Sequence, residues 1–467
     1  MKQHKINEAK HSEEKKMQII IVGCGKVGTT LAEQLSKEGH DITVIDVKGE
    51  AVQNVSALYD VQGIVGNGAS VNIQMDAEIE RADLLIAVTH SDELNLLCCL
   101  IAKKAGNVHT IARVRNPIYS KESNFIKEEL GLSMIINPEY AAAEEIARLL
   151  RFPSAIEIDT FAKGRIDLLT FRIPEDSILD GLRIMDIPTK LQSDVLICSV
   201  ERDNDVVIPN GNFEIKSNDV VSIIAAPKVS AKFFKKIGIV TNQVKSAMLV
   251  GGGKIGYYLA DMLLHMGVSV KIIDRKKERC EELSELLPSA MIICGDGIDK
   301  DLLLEEGLNN MESFVALTNI DEQNMVLTLY AKTQTKGKCV TKINRIAFDE
   351  IMNNFNLDST IYPKFITAEY ILQYVRAMQN SIGSNVETLY KLCDSKIEAL
   401  EFLIKEDSPV IDKSLEELEL KSNILVCCIN HRNKIKIPRG QDKISKGDTV
   451  VVVTTRTGLN DIKDILA

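Results

Sequence analysis

Two hydrophobic rhythms alternate along the chain. Short runs dense in Ile, Val and Leu, among them MQIIIVG, ITVID, VQGIVG and DLLIAVT, are bounded by Gly, Asp or Asn. Between them, in stretches such as KVGTTLAEQLSKEG and ELNLLCCLIAKKAG, apolar residues recur at helical spacing. The first rhythm predicts buried strands and the second amphipathic helices. Read from Met17, the order is strand MQIIIVG, a helix ending on Gly39, strand ITVID, a helix through Asn54, strand VQGIVG and a helix to Ala82. Strand DLLIAVT, helix ELNLLCCLIAKKAG, strand HTIARV, a helix around 125–130 and a sixth strand, MIINP, complete the series. Strands alternating with helices of this length predict an α/β fold with a doubly wound parallel sheet of Rossmann type.

A strong helical stretch, EYAAAEEIARLLRF, follows at 139–152 and stops at Pro153-Ser154, as an arm would. Beyond it, short alternating strands separated by Gly, Asn, Asp and Pro turns predict a small α+β domain. The whole pattern then returns. Gly23-Cys24-Gly25-Lys26-Val27-Gly28 reappears as Gly251-Gly252-Gly253-Lys254-Ile255-Gly256, a shift of 228 (251 − 23). Asp46 reappears as Asp274, and Thr89 in AVTHSDELN as Thr318 in ALTNIDEQN. The small domain repeats too, with Pro209/Pro438, Gly211/Gly440 and Asp219/Asp448 each 229 apart. The expected organisation is therefore a tandem duplication of a Rossmann-type domain followed by a small α+β domain. Its parts are an N-terminal extension over 1–16, Rossmann-type domains over 17–138 and 245–366, helical arms over 139–160 and 367–395, and small domains over 161–240 and 396–467.

The repeated glycine motif carries the candidate chemistry. A lone G-x-G-x-x-G is a weak signal. It gains weight after a strand, at the start of a helix, with an acid about 20 residues on, and both copies meet those conditions. The first two glycines allow a tight turn and close approach to a pyrophosphate, and the third lets helix pack on strand. The phosphates are then expected on the exposed amides at the helix N-terminus. Asp46 and Asp274 close their second strands, where a carboxylate accepts from both ribose hydroxyls and disfavours a 2′-phosphate. Lys26 and Lys254 add a cation beside the phosphates. Ligands of such sheets bind outside the carboxyl ends of the strands, which nominates Asn67-Gly68 and Asp296-Gly297 after the third strand. It also nominates Thr89-His90 and Thr318-Asn319 after the fourth, and Arg113 and Lys342 near the end of the fifth. The bland alternatives are packing glycines, a surface ion pair for Arg113 and a loop residue for His90, which has no histidine counterpart in the repeat.

Composition narrows the classes. The chain has 467 residues, a net charge of -10 and 26% charged residues, with a sequence pI near 5.4. That balance argues against nucleic-acid binding by phosphate neutralisation and against adsorption to a bare anionic membrane. No window approaches the ~18 consecutive apolar residues of a spanning helix. The polar, charged first 16 residues carry no secretory pattern and read as a disordered extension or an upstream start. The ten cysteines show no Cys-x-x-Cys spacing, and Cys98, Cys99, Cys198, Cys427 and Cys428 sit in apolar runs. Neither a metal site nor a disulfide framework is expected, and a reduced cytosol fits. Between Glu139 and Val250 there is no histidine, and the second small domain has only His431, opposite Arg202 in the repeat. No P-loop is present either. The sequence offers binding without catalytic residues, so no enzymatic activity is expected.

The order GCGKVG, ITVID, VGNGAS, DLLIAVTHSDELN, IARVRNP and VVIPNG, duplicated, resembles the TrkA family, regulatory subunits of Trk-type bacterial potassium uptake built of tandem RCK domains. The resemblance runs from about Met17 to the carboxyl end. It implies a cytoplasmic homotetramer, peripheral on the inner face of the membrane through a potassium-translocating subunit. It also implies binding of NAD(H) and of adenine nucleotides (ATP, ADP) in the Rossmann crevices. Carried over by motif, the first site comprises Gly23 to Gly28, Asp46, Asn67, Gly68, Thr89, His90 and Arg113. The second comprises Gly251 to Gly256, Asp274, Asp296, Gly297, Thr318, Asn319 and Lys342. Lysine at 342 lacks the bidentate fork of arginine, so the two sites are expected to differ in affinity or ligand. A regulatory subunit of another ion transporter or exchanger, an NAD-dependent oxidoreductase and a scaffold with vestigial crevices remain open as alternatives.

Overall fold

A computed structural model describes residues 16–467 apart from 107, 154, 162–165, 204, 240–242, 345–356, 358, 381–385, 393–395, 405–407, 432–433, 457–458 and 460. Of the expected extension over 1–16, all but Lys16 lies outside the described residues. The chain divides into two compact units, 1–142 with 362–372, and 143–361 with 373–467.

The first unit is built on a six-stranded parallel sheet. Its strands are β1 (Gln18–Val22), β2 (Asp41–Asp46), β3 (Gln62–Val65), β4 (Leu84–Ala87), β5 (His109–Arg113) and β6 (Met134–Ile136). They lie in the order β3-β2-β1-β4-β5-β6, the doubly wound arrangement. β1 and β4 are neighbours at the centre, which is why Ile19–Val22 and Leu84–Ala87 are apolar throughout and fully buried. The reversal of strand order between β1 and β4 opens a crevice at their carboxyl ends. Around it run α1 (Lys26–Lys37), α2 (Gly49–Leu58), α3 (Val71–Asp76) and α4 (Asp92–Ala105). α1 ends as its sequence requires, with Gly39 in the left-handed region at φ +86°. α4 is capped by the Ser91 hydroxyl accepting from the Leu94 amide at 3.2 Å, with Asp92 and Glu93 in its first turn and Lys103 and Lys104 in its last.

Two elements differ from the sequence expectation. The helix anticipated as far as Ala82 stops at Asp76, and Glu78 turns the chain at φ +56°. Ahead of α6 (Ser123–Glu129) there is a further short helix, α5 (Pro117–Lys121), with Asn116 as its cap and proline at its first position. The arm expected at 139–152 is α7 (Pro138–Arg151).

The second unit contains a parallel sheet of the same order. Its strands are β12 (Ser246–Val250), β13 (Ser269–Asp274), β14 (Met291–Cys294), β15 (Ser313–Ala316), β16 (Lys338–Lys342) and β17 (Ser359–Ile361), arranged β14-β13-β12-β15-β16-β17. Its helices include α10 (Lys254–His265), α11 (Lys277–Leu286), α12 (Lys300–Glu305) and α13 (Asp321–Gln334). Both small domains are also here. One is the antiparallel sheet of β7 (Glu157–Phe161), β8 (Ile166–Arg172), β9 (Leu196–Arg202), β10 (Asp205–Val207) and β11 (Val220–Ala225). The other is that of β18 (Val386–Leu392), β19 (Ile397–Leu403), β20 (Ile424–His431), β21 (Lys434–Lys436) and β22 (Thr449–Thr454). The two sheets share one core, in which Phe161, Leu168, Cys198 and Ile224 pack with Ile397, Cys427, Val451 and Val453. The parallel sheet is tied to the connecting segment by the Lys338 ammonium donating to the Ala155 carbonyl at 2.6 Å. No described helix is long and apolar enough to cross a membrane.

Candidate functional site

The glycine loop between β1 and α1 is shaped by contacts that no side chain could share. Gly23 has φ +108°, and a Cβ there would lie 3.0 Å from the Thr89 amide nitrogen. A Cβ on Gly28 would collide with the Gly23 carbonyl oxygen. Gly25 is the N-cap of α1 and supplies no side-chain cap, and a Cβ there would meet nothing within 4 Å. The amides of the first turn of α1 are thus left to an external acceptor, on the open side of the loop. The second copy repeats each feature. Gly251 has φ +114° and abuts Leu317 and Thr318, Gly256 backs onto Gly251, and Gly253 caps α10 with no side chain and open space.

The acid at the end of the second strand holds this loop. Asp46 Oδ2 accepts from the Cys24 amide at 2.7 Å and Oδ1 from the Lys48 amide at 2.9 Å. Asp274 accepts from Gly252 at 2.8 Å and from Lys276 at 2.9 Å. Each carboxylate remains half-exposed, with lone pairs left for a ligand hydroxyl. Burial, and next the Asp46 charge, push the Cys24 thiol up to about 12, so it stays neutral.

Across the crevice, Thr89 and Arg113 meet through a residue that the motif reading did not nominate. The Asn95 side-chain oxygen accepts from the Thr89 amide at 2.8 Å and from its hydroxyl at 2.7 Å. Its nitrogen donates to the Arg113 carbonyl at 2.9 Å. Asn324 makes the same contacts to Thr318 and to the Lys342 carbonyl. A fully buried amide in α4 or α13 therefore fixes the spacing of two strand ends. The repeat carried the signal, since Asn95 and Asn324 close the aligned segments THSDELN and TNIDEQN. Asp92 and Asp321 act likewise, Asp92 accepting from the Arg115 and Asn116 amides at 2.9 and 2.7 Å and Asp321 from the Asn344 amide at 2.9 Å.

Arg113 is not a surface ion pair. Its guanidinium folds back to donate to the Thr89 carbonyl, and its buried Nε has no hydrogen-bond partner. Burial, with the Arg115 charge next, lowers its pKa to about 10. A desolvated cation beside a second cation, with a donor unused, fits an anion in the crevice. Lys342 is more enclosed, its ammonium donating to the Leu317 carbonyl at 3.3 Å and to Asn319 Oδ1 at 3.4 Å.

The other nominated residues divide. Gly68 and Gly297 back onto Val22 and Val250, where no side chain fits, so the third strand's loop lies against the first strand. Asn67 and Asp296 spend a side-chain oxygen on their own turns, accepting from Ala69 at 3.0 Å and Ile298 at 3.1 Å. Lys26 and Lys254 are exposed at the loop. Val27 and Ile255 are buried behind it and serve packing. His90 is exposed and contributes its carbonyl to Arg115. One further basic residue belongs to the second crevice alone: Arg279 Nε donates to the Gly252 carbonyl at 2.6 Å, where the first copy has Ala51. Among the described residues, no group of three or more His, Cys, Asp or Glu could hold a metal.

Comparison with known proteins finds two domain families, each matched twice. The TrkA-N domain family matches residues 19–138 and 247–363, and the TrkA-C domain family matches 168–238 and 399–467. A Trk system potassium uptake protein TrkA homolog of Archaeoglobus fulgidus is 32% identical over 451 residues, 96% of this chain and 100% of that protein. The Trk system potassium uptake protein TrkA of Haemophilus influenzae is 30% identical over 440 residues, 93% of this chain and 95% of its own. Among solved structures, the GsuK channel bound to NAD superposes with a TM-score of 0.63 at 14% identity, covering 95% of this chain and 77% of that one. The GsuK RCK domain gives 0.62 at 14%, covering 94% and 93%. At that identity the likeness is one of fold.

Proposed function

The chain belongs to the TrkA family, its TrkA-N and TrkA-C domains each present twice, and from that premise we propose that it is a nucleotide-responsive regulatory subunit of potassium uptake. Each Rossmann crevice takes NAD(H) or an adenine nucleotide. The observation that carries this reading is the pair of glycine loops with uncapped helix amides, each braced by a half-exposed aspartate at the ribose position. In the first crevice the pyrophosphate is held by the amides after Gly25, the ribose by Asp46, and further negative charge by Arg113. In the second, Asp274 and the amides after Gly253 do the same work with Lys342 across from them. The subunit acts in the cytoplasm as a homotetramer docked on a membrane potassium-translocating partner and performs no catalysis. The ligand supplies binding energy, and it regulates only through unequal affinity for the conducting and closed arrangements. Couplings of about 1–3 kcal/mol, roughly 5- to 150-fold in affinity, are typical of such linkage.

Calorimetric titration with NADH, NAD⁺, ATP and ADP tests this. Binding should weaken in Asp46→Ala and again in the Asp46→Ala/Asp274→Ala double variant. If none of the four ligands binds the wild-type protein, the crevices are architecture and the proposal fails. Arg113→Ala should flatten the response of potassium uptake to nucleotide while the protein stays folded.

A further inference from the structure

The second crevice carries two thiols at positions that are valines in the first. Cys280 lies in α11 and Cys294 ends β14, directly opposite Asp274 in the strand register. The corresponding residues of the first crevice are Val52 in α2 and Val65, which ends β3 opposite Asp46. The Cys280 sulfur donates to the Asp274 carbonyl at 3.3 Å and approaches the Ile293 carbonyl at 3.9 Å, one residue before Cys294. The Cys280 sulfur thus lies against the stretch of strand that leads into Cys294. Cys294 is exposed and Cys280 is buried. The pair thus sits in the wall that presents Asp274, joining a helix to the edge strand of the sheet.

We propose that Cys280 and Cys294 form a redox-modifiable pair, closed to a disulfide by low-molecular-weight disulfides, that locks the ribose wall of the second crevice. Cys294, the accessible sulfur, attacks the small disulfide as its thiolate, forming a mixed disulfide and releasing one small thiolate. Cys280 then loses its proton and attacks the Cys294 sulfur, displacing the second. Two protein thiols are oxidised, one small disulfide is reduced to two thiols, and the two protons pass to the released thiolates. Burial, then the Cys294 thiol and the Asp274 charge, hold the Cys280 thiol up at about 11, which makes the second step the slower one and protects the pair from casual oxidation. The bond withdraws the thiol donor from the Asp274 carbonyl, which also accepts from the Gly295 amide at 3.0 Å, and ties α11 to β14. Its consequence for nucleotide rests on the function proposed above, whereas the bond itself does not.

The full chain, reduced and nucleotide-free, is incubated with oxidised glutathione, alkylated with iodoacetamide and digested without reductant. Mass spectrometry should find the Cys280 and Cys294 peptides linked, reversibly with dithiothreitol, and amide exchange over 277–286 and 291–295 should slow. In Cys280→Ser, glutathione should remain on Cys294. Wild-type protein that keeps glutathione on Cys294 with Cys280 alkylated, or has both alkylated, overturns the proposal. NADH titration of the linked and reduced forms should differ severalfold, and should not differ for Cys294→Ser after the same treatment. Equal affinities with the bond present would overturn the lock. A bond that forms in a protein binding no nucleotide would leave the thiol pair standing and remove the function proposed for the crevice.

Discussion

Each oxygen of Asp46 already holds a backbone amide, Cys24 on one side and Lys48 on the other, so the residue shapes the loop and, in the function proposed above, also meets the ribose. Asp46→Asn keeps the size but puts an amide donor against one of those N–H groups. Hydrogen bonds to a charged acceptor are worth about 1.5–3 kcal/mol, so nucleotide affinity at the first crevice should fall roughly tenfold to hundredfold, read by calorimetry against the Asp274→Asn variant. Gly28 makes a purer steric case. The collision of a Cβ with the Gly23 carbonyl oxygen should cost Gly28→Ala about 1–3 kcal/mol, seen as a lower unfolding midpoint. A residue outside the crevice sets a pH dependence. Asp167 is buried, and that burial raises its pKa from 3.8 to about 6, with Arg151 and Arg148 pulling the other way. The folded state then binds more protons than the unfolded one between about pH 4 and 6, so this group's contribution to stability falls as pH rises through that window. Asp167→Asn should remove that slope and raise stability at neutral pH by up to about 2–3 kcal/mol. An unchanged pH profile in urea titrations would contradict the assignment.

At the scale of elements, the same scaffold position is filled by different chemistry in the two copies, and that is where motif reading stopped. Arg202 in β9 grips Asp219 with two bonds of 2.7 Å, whereas His431 in β20 holds Asp448 through one bond of 2.6 Å. Both acids are almost fully buried and also accept a turn amide, from Lys216 and Ser445 at 2.8 Å. Each acid thus joins a strand end to its own turn. Removing the partner strands a buried charge, so Arg202→Ala should cost about 3–5 kcal/mol. His431→Ala, which breaks a single bond to a half-exposed ring, should cost less in chemical denaturation. The loop glycines were legible because their backbone geometry admits few substitutes, and the acids at the second strand ends because they recur in both copies. Asn95 and Asn324 were not singled out: the repeat pairs them, but only the folded strand ends show what each spans. Arg113 was placed at the right strand end but not in its orientation, which depends on the Thr89 carbonyl and the neighbouring Arg115.

Across the whole molecule, the duplicated α/β architecture could be read from two rhythms and an offset of 228 to 229 residues, because period and strand length depend on local sequence. How the repeats pair could not. Nothing in β8 or β20 announces that the two small sheets bury the same core, since each sheet's apolar face satisfies the pattern of a half-buried sheet whatever covers it. In the structure that face is shared: Leu168 and Cys198 of the first sheet lie in one cluster with Cys427 and Val453 of the second, and burial holds the Cys427 thiol protonated there. Two domains with a common core should open as one cooperative unit. The prediction is specific. Leu168→Ala leaves a cavity in that core and should cost about 2–5 kcal/mol, and the loss should not be confined to the sheet that carries the mutation. Amide exchange should accelerate together in β8, β9 and β11 and in β19, β20 and β22, while β1 and β4 of the other unit keep their protection. Faster exchange in the first small sheet alone would mean that the cores are energetically separate. Joint acceleration would make the pair of small domains a single element, and a change imposed on either copy would then be felt by both.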